Sequence, residues 1–70
     1  MIMNIQPVKV FFDLMPDNTV SVLVQGSAEW DLMYSYQNMV SWCESEFLDF
    51  ELVDITNTTY LERISLGVFE

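Results

Sequence analysis

Two short stretches of strict alternation, joined by a proline-initiated turn, constrain this chain more than any other feature. In residues 5–14, Val8, Val10, Phe12 and Leu14 fall on one side, and Lys9, Phe11 and Asp13 on the other. Successive side chains of an extended chain point to opposite faces, so this alternation of β-branched and aromatic residues predicts a half-buried strand. Met15, Pro16, Asp17 and Asn18 follow. Proline presets φ for a turn, and Asp and Asn bond their own backbone and tolerate the left-handed region. Residues 19–25 alternate again, with Val20, Val22 and Val24 on the inner side. Two strands this close in sequence pair naturally as a hairpin.

The remaining chain must cover that hairpin. Gly26 ends the second strand, and Ser27 has the chemistry of a helix N-cap, with Glu29 and Asp31 placed where a helix dipole favours anions. The pattern predicts a helix over 28–46. Its apolar stripe is Leu32, Met33, Tyr36, Met39, Val40, Cys43 and, just beyond, Phe47. At helical spacing these lie within about 60° of Tyr36, as a core-facing stripe requires. Residues 47–54 alternate as a third strand, with Leu48, Phe50 and Leu52 inward. Thr56, Asn57, Thr58 and Thr59 read as a polar turn. Asn57-Thr58-Thr59 also has the form of a glycosylation acceptor, which the turn reading displaces in a chain without an export signal. Residues 60–69 read as a last strand with Ile64, Leu66 and Val68 inward and, at Glu62, a register break or an exposed strand start. The expected fold is α+β: a two-layer ββαββ domain whose four-stranded, mainly antiparallel sheet is covered on one face by a single helix. The strand order stays open, with pairing of the first and third strands as one solution.

Seventy residues make one small acidic domain, residues 1–70, with room for one core. Hydrophobic residues form 51% of the chain, which excludes intrinsic disorder despite the charge. A single cysteine, Cys43, rules out an internal disulfide, and self-association is the remaining stabilising device for so small a core. Histidine is absent, so the commonest general base and metal ligand is missing. The two glycines, Gly26 and Gly67, are too far apart for a phosphate loop. Cys43 lies on the inward stripe with no neighbouring cation to activate it, so it reads as a buried structural thiol. Glu44, Glu46, Asp49, Glu51 and Asp54 lack the loop spacing and central glycine of a calcium site. The expectation is a non-enzymatic protein with no cofactor and no metal. No apolar run reaches the length of a membrane span, and residues 1–4 lack the basic start of a signal peptide, so a cytoplasmic protein is expected.

Eleven carboxylates face two cations, Lys9 and Arg63, for a net charge of −9. Phosphate contacts need Lys and Arg, so direct binding to nucleic acid or to an anionic membrane is disfavoured. Solubility and a halophilic surface are the bland readings of such charge; a basic partner is the functional one. The placement of the acids favours the functional one. Glu44 and Glu46 crowd the negative end of the predicted helix, and Asp49, Glu51 and Asp54 follow with no cation between Lys9 and Arg63. A local arrangement that costs folding energy is where function is expected. The helix's outer side carries Ser35, Asn38, Ser41 and Ser45, with Trp30, Tyr34 and Trp42 outside the core stripe. Aromatic residues in that position are interface anchors or flank packing. The sheet's second face, with Lys9, Phe11, Asp13, Leu23, Asp49, Glu51 and Val53, is left open by a single helix and fits an apolar docking centre with an acidic rim.

The partner-binding candidates are therefore Glu44, Glu46, Asp49, Glu51, Asp54, Trp30, Tyr34 and Trp42. They describe a small acidic inhibitor that occupies a basic, nucleic-acid-facing surface of a target protein, with carboxylates where phosphates would stand. In size, charge and lack of catalytic chemistry the chain resembles the general type of phage or mobile-element inhibitors of host defence, anti-CRISPR proteins among them; the likeness is one of kind and covers no motif. The rivals are a homodimer or small subunit whose charge serves solubility, and an antitoxin-like subunit neutralising a basic partner.

Overall fold

A computed structural model describes residues 6–69. The elements run β1 (Val8–Leu14), β2 (Val20–Val24), β3 (Asp31–Met33), α1 (Tyr36–Glu46), β4 (Phe50–Asp54) and α2 (Tyr60–Leu66). The strands form one sheet in the order β3-β2-β1-β4. The class is α+β, as the alternation predicts.

The hairpin is where the sequence places it. β1 and β2 pair antiparallel, with Phe12 opposite Val22 and Leu14 opposite Val20. Asp17 closes the turn by accepting from the Thr19 backbone N–H and hydroxyl, and Asn18 takes the left-handed conformation, φ 72°. Residues 6 and 7 are outside the strand, while residues 1–5, including the predicted strand start and the segment read for a signal peptide, lie outside the described residues.

The helix begins later than predicted. Ser27 does accept from the Glu29 backbone N–H at 3.2 Å, but this closes a local two-residue turn and no helix follows. Gly26, at φ 85°, reverses the chain instead, and residues 31–33 return as β3, antiparallel to β2 with Val20 opposite Met33. The N-cap is Ser35, whose Oγ accepts from Asn38 N–H at 3.1 Å. Glu29 and Asp31 are consequently not first-turn acids. Leu32 and Met33, assigned to the helix stripe, sit on an edge strand, and Leu32 is exposed.

The sheet is mixed, not mainly antiparallel. β4 pairs with β1 in parallel, with Val10 opposite Leu52. The helix supplies the reason. α1 carries the chain from the β3 edge across to the far side of β1, and a strand entered by such a crossover arrives in the direction of β1. The sequence leaves the strand order open, with pairing of the first strand and residues 47–54 in the middle of the sheet as one solution; the two do pair, but β4 is an edge strand.

Residues 60–69 contain a second helix where a strand is predicted. Thr59 and Glu62 make a capping box: the Thr59 hydroxyl accepts from Glu62 N–H, and the Glu62 carboxylate accepts from Thr59 N–H. Gly67, at φ 86°, ends the helix in a left-handed cap. Glu62 thus neither breaks a strand register nor starts a strand. The expectation of a single helix on one face is corrected accordingly.

Two cores lie on opposite faces of the sheet. Under α1, Val10, Phe12, Val20, Val22, Met39 and Cys43 are buried, flanked by Val8, Val40, Phe47, Phe50 and Leu52. On the second face, Phe11 and Leu23 are buried under Ile55 and Val68. Val68 follows α2 directly, so the C-terminal helix fastens the cover on this face. The apolar docking centre expected around Phe11, Leu23 and Val53 is therefore internal packing.

Candidate partner-binding surface

The chain from the last turn of α1 to the end of β4 forms one border of the molecule. Glu44 and Glu46 are exposed on α1, whose last turn carries no basic residue. Phe47 ends the helix, its N–H donating to the Cys43 carbonyl at 2.9 Å. Asp49 is exposed in the connection, and Glu51 and Asp54 are exposed on β4. The strand's pleat divides these acids. Glu51 pairs in register with Lys9 on the second face, and Asp54 with Phe12 on the α1 face. Glu51 and Asp54 thus lie on opposite faces of the β4 edge with Asp49 just before it, while Glu44 and Glu46 stand on α1, which packs on β2 and β3; the five do not meet in one cluster.

Neutralisation of this border is slight. Among the described residues, the ion pair that forms joins Arg63 to Asp13 at 3.2 Å; the same guanidinium bonds the Ile55 carbonyl just after Asp54 but closes no ion pair with the five acids. Lys9 is the cross-strand neighbour of Glu51 but closes no ion pair among the described residues. Asp54 accepts from the Thr56 backbone N–H at 2.8 Å, which starts the turn after β4. Among the described residues no three His, Cys, Asp or Glu side chains approach closely enough to hold a metal ion.

Leu48 is the residue that sequence reasoning misses here. The alternation assigns it inward, but it precedes the strand and is fully exposed, between Glu46 and Asp49. An apolar side chain in water among carboxylates has the composition of an interface centre with a polar rim. The signal for it is the shift of strand onset from 47 to 50, which frees Leu48 from the pleat.

The aromatic candidates separate. Trp42 is half-buried against the core under α1, its ring edge-on to Phe47 at 5.5 Å and 90°. It packs the helix to the sheet and is not an outward anchor. Trp30 and Tyr34 flank β3, at the opposite end of the sheet from β4. Three strand spacings, about 14 Å, separate that edge from β4. These two aromatics and the acids of β4 therefore sit at opposite edges of the sheet.

The chemistry-bearing side chains offer little else. Cys43 is buried, and burial pushes its thiol pKa up, the opposite of what a nucleophile requires. A hollow of about 240 Å³ on the second face is lined by Leu23, Gly26, Ser27, Ala28, Trp30, Val68 and Phe69, none of which titrates near neutrality. No described helix is long and apolar enough to cross a membrane. Comparison with protein-family models, curated proteins and solved structures finds no match to this chain.

Proposed function

We propose that this chain is a small acidic binding protein, not an enzyme, whose 44–54 border occupies a basic, normally nucleic-acid-facing surface of a target protein. The observation that carries the reading is the composition of that border. Glu44, Glu46, Asp49, Glu51 and Asp54 are all exposed and without an ion pair among the described residues, with Leu48 fully exposed in their midst. Solubility alone requires acids dispersed over the surface; it does not require an apolar side chain set among them. The carboxylates steer a cationic target and match its charge, and Leu48 supplies short-range contact. A phage or mobile-element inhibitor of host defence, of the anti-CRISPR kind, is the biological setting this chemistry suits.

The test is affinity capture from the native host with two baits: the natural chain, and a variant with the five acids changed to Gln or Asn. The natural chain is expected to retain a nucleic-acid-binding protein that added DNA or RNA displaces. Retention of the same proteins by both baits would overturn the assignment of the border.

A further inference from the structure

The β3 edge supports a second association that does not depend on the acidic border. We propose that β3 pairs antiparallel with β3 of a second copy about a twofold axis at Leu32, joining the two sheets into one.

The backbone supplies the first argument. In the hairpin, Met15 N–H donates to the Thr19 carbonyl at 2.9 Å and Gln25 N–H to the Lys9 carbonyl at 2.8 Å. Odd-numbered residues of β2 therefore turn their backbone groups to β1, and Val20 and Val22 turn theirs to β3. Their partners Met33 and Asp31 face β2. That leaves the N–H and carbonyl of Leu32 on the open edge, both on the central residue of a three-residue strand. In an antiparallel pair, two residues exchange both bonds when they stand opposite each other. Leu32 opposite Leu32 of the second copy satisfies all four groups.

The side chains repeat that symmetry. Leu32 sits at the centre of the strand, Trp30 just before it borders the hollow beside Leu23, and Tyr34 follows in the bend after it. Trp30, Leu32 and Tyr34 are 39%, 70% and 85% exposed. The proposed pairing sets Leu32 against Leu32 and Trp30 against Tyr34 at both ends. Aromatic and aliphatic cross-strand pairs of this kind stabilise a sheet. On the other side, Asp31 meets Met33, so no carboxylate faces another directly. A hollow of about 250 Å³ lined by Thr19, Leu32, Met33 and Tyr34 borders the Tyr34 end, where the pairing places Trp30 of the second copy.

Self-complementarity decides the occupant, against charge: two chains of net charge −9 repel, and each copy brings Asp31 on β3 and Glu29 just before it to the joint. The β4 border is about 14 Å from β3, beyond the screening length of about 8 Å at physiological salt. In the joined sheet the two acidic borders lie at opposite ends, seven strand spacings or about 34 Å apart. A different strand would need its own leucine flanked by aromatics at the same spacing; a second copy supplies it.

Sedimentation velocity across a wide concentration range, at physiological and at high salt, tests this. The natural chain is expected to show a reversible dimer that salt strengthens by screening. Leu32→Asp should weaken association about tenfold or more, and Leu61→Asp on α2 should leave it unchanged. A second measurement covers a folding failure of Leu32→Asp: mild diamide oxidation of Leu32→Cys should give a disulfide-linked dimer, since opposed residues lie about 5.5 Å apart at Cα, whereas Ser65→Cys should not. A chain monomeric at every concentration, a dimer indifferent to Leu32→Asp but lost with Leu61→Asp, or equal cross-linking at positions 32 and 65 would each overturn the proposal.

Discussion

The Arg63 guanidinium on α2 lies 3.2 Å from the Asp13 carboxylate on β1, across fifty residues of sequence. The same side chain donates through Nε to the Thr58 hydroxyl at 2.9 Å and through Nη2 to the Ile55 carbonyl at 3.3 Å. One of the chain's two cations thus ties the C-terminal helix to the second face of the sheet.

Arg63→Met should therefore destabilise the fold by about 1–2 kcal/mol. Charge-assisted hydrogen bonds contribute at that scale, reduced here by partial exposure. Urea unfolding followed by tryptophan fluorescence measures it. Asp13→Asn should cost less, because the bonds to Thr58 and Ile55 survive. Equal stability of the natural and Arg63→Met chains would show that Val68 and Ile55 hold the second face alone.

The hairpin was legible because every local signal agreed: alternation, Pro16 and the Asp17–Asn18 turn all favour it. The helix start misled because Ser27 does make a cap-like bond, with Glu29 and Asp31 correctly placed for a dipole. What distinguishes Ser35 is the register of β3 with β2, a long-range property that local propensity does not carry. Residues 60–69 are ambiguous for a different reason. Ile64, Leu66 and Val68 alternate, but Leu61, Ile64 and Val68 also recur at helical spacing, and short apolar runs satisfy both periods. The Thr59-x-x-Glu62 box with Gly67 was the available arbiter. The acids of the 44–54 segment were legible as one run. The distribution around β4 and the exposure of Leu48 depend on where the strand starts.

If that box specifies α2, its loss should show in one element. Thr59→Ala is expected to cost about 0.5–2 kcal/mol, the usual range for a lost N-cap. Amide hydrogen exchange should accelerate in residues 60–68 and stay unchanged in β1 and β2. Uniform acceleration over the whole chain would mean that α2 unfolds only with the sheet.

Burial of Cys43 gives a pH prediction with a fixed sign. Its thiol pKa is raised in the folded chain by desolvation, so the unfolded chain ionises first. The stabilisation is complete below the unfolded-state value, about 8.5 for a free thiol, and declines as pH rises beyond it. Cys43→Ala should remove this alkaline decline while lowering stability near neutrality through lost packing. In the natural chain, alkylation of Cys43 should be slow until denaturant is added. Rapid alkylation under native conditions would contradict its burial.

The last turn of α1 separates a functional acid from a merely solvated one. Glu44 and Glu46 stand at the helix end that carries partial negative charge, with no basic residue in that turn. Changing both to Lys should therefore stabilise the isolated chain, by a few tenths of a kcal/mol per site. Thermal unfolding by circular dichroism should show a small rise in Tm, largest at low salt, because the effect is screened. For a captured basic target, the same two changes should act in the opposite direction. Association slows, since the rim charges that steer encounter are reversed, while dissociation changes less. The salt dependence of the on-rate should flatten in parallel. A solvated face has no reason to couple greater stability to weaker binding, so the opposed signs carry the argument. Surface plasmon resonance across a salt series reads the kinetic half. Unchanged association at every salt concentration would reduce Glu44 and Glu46 to surface charge.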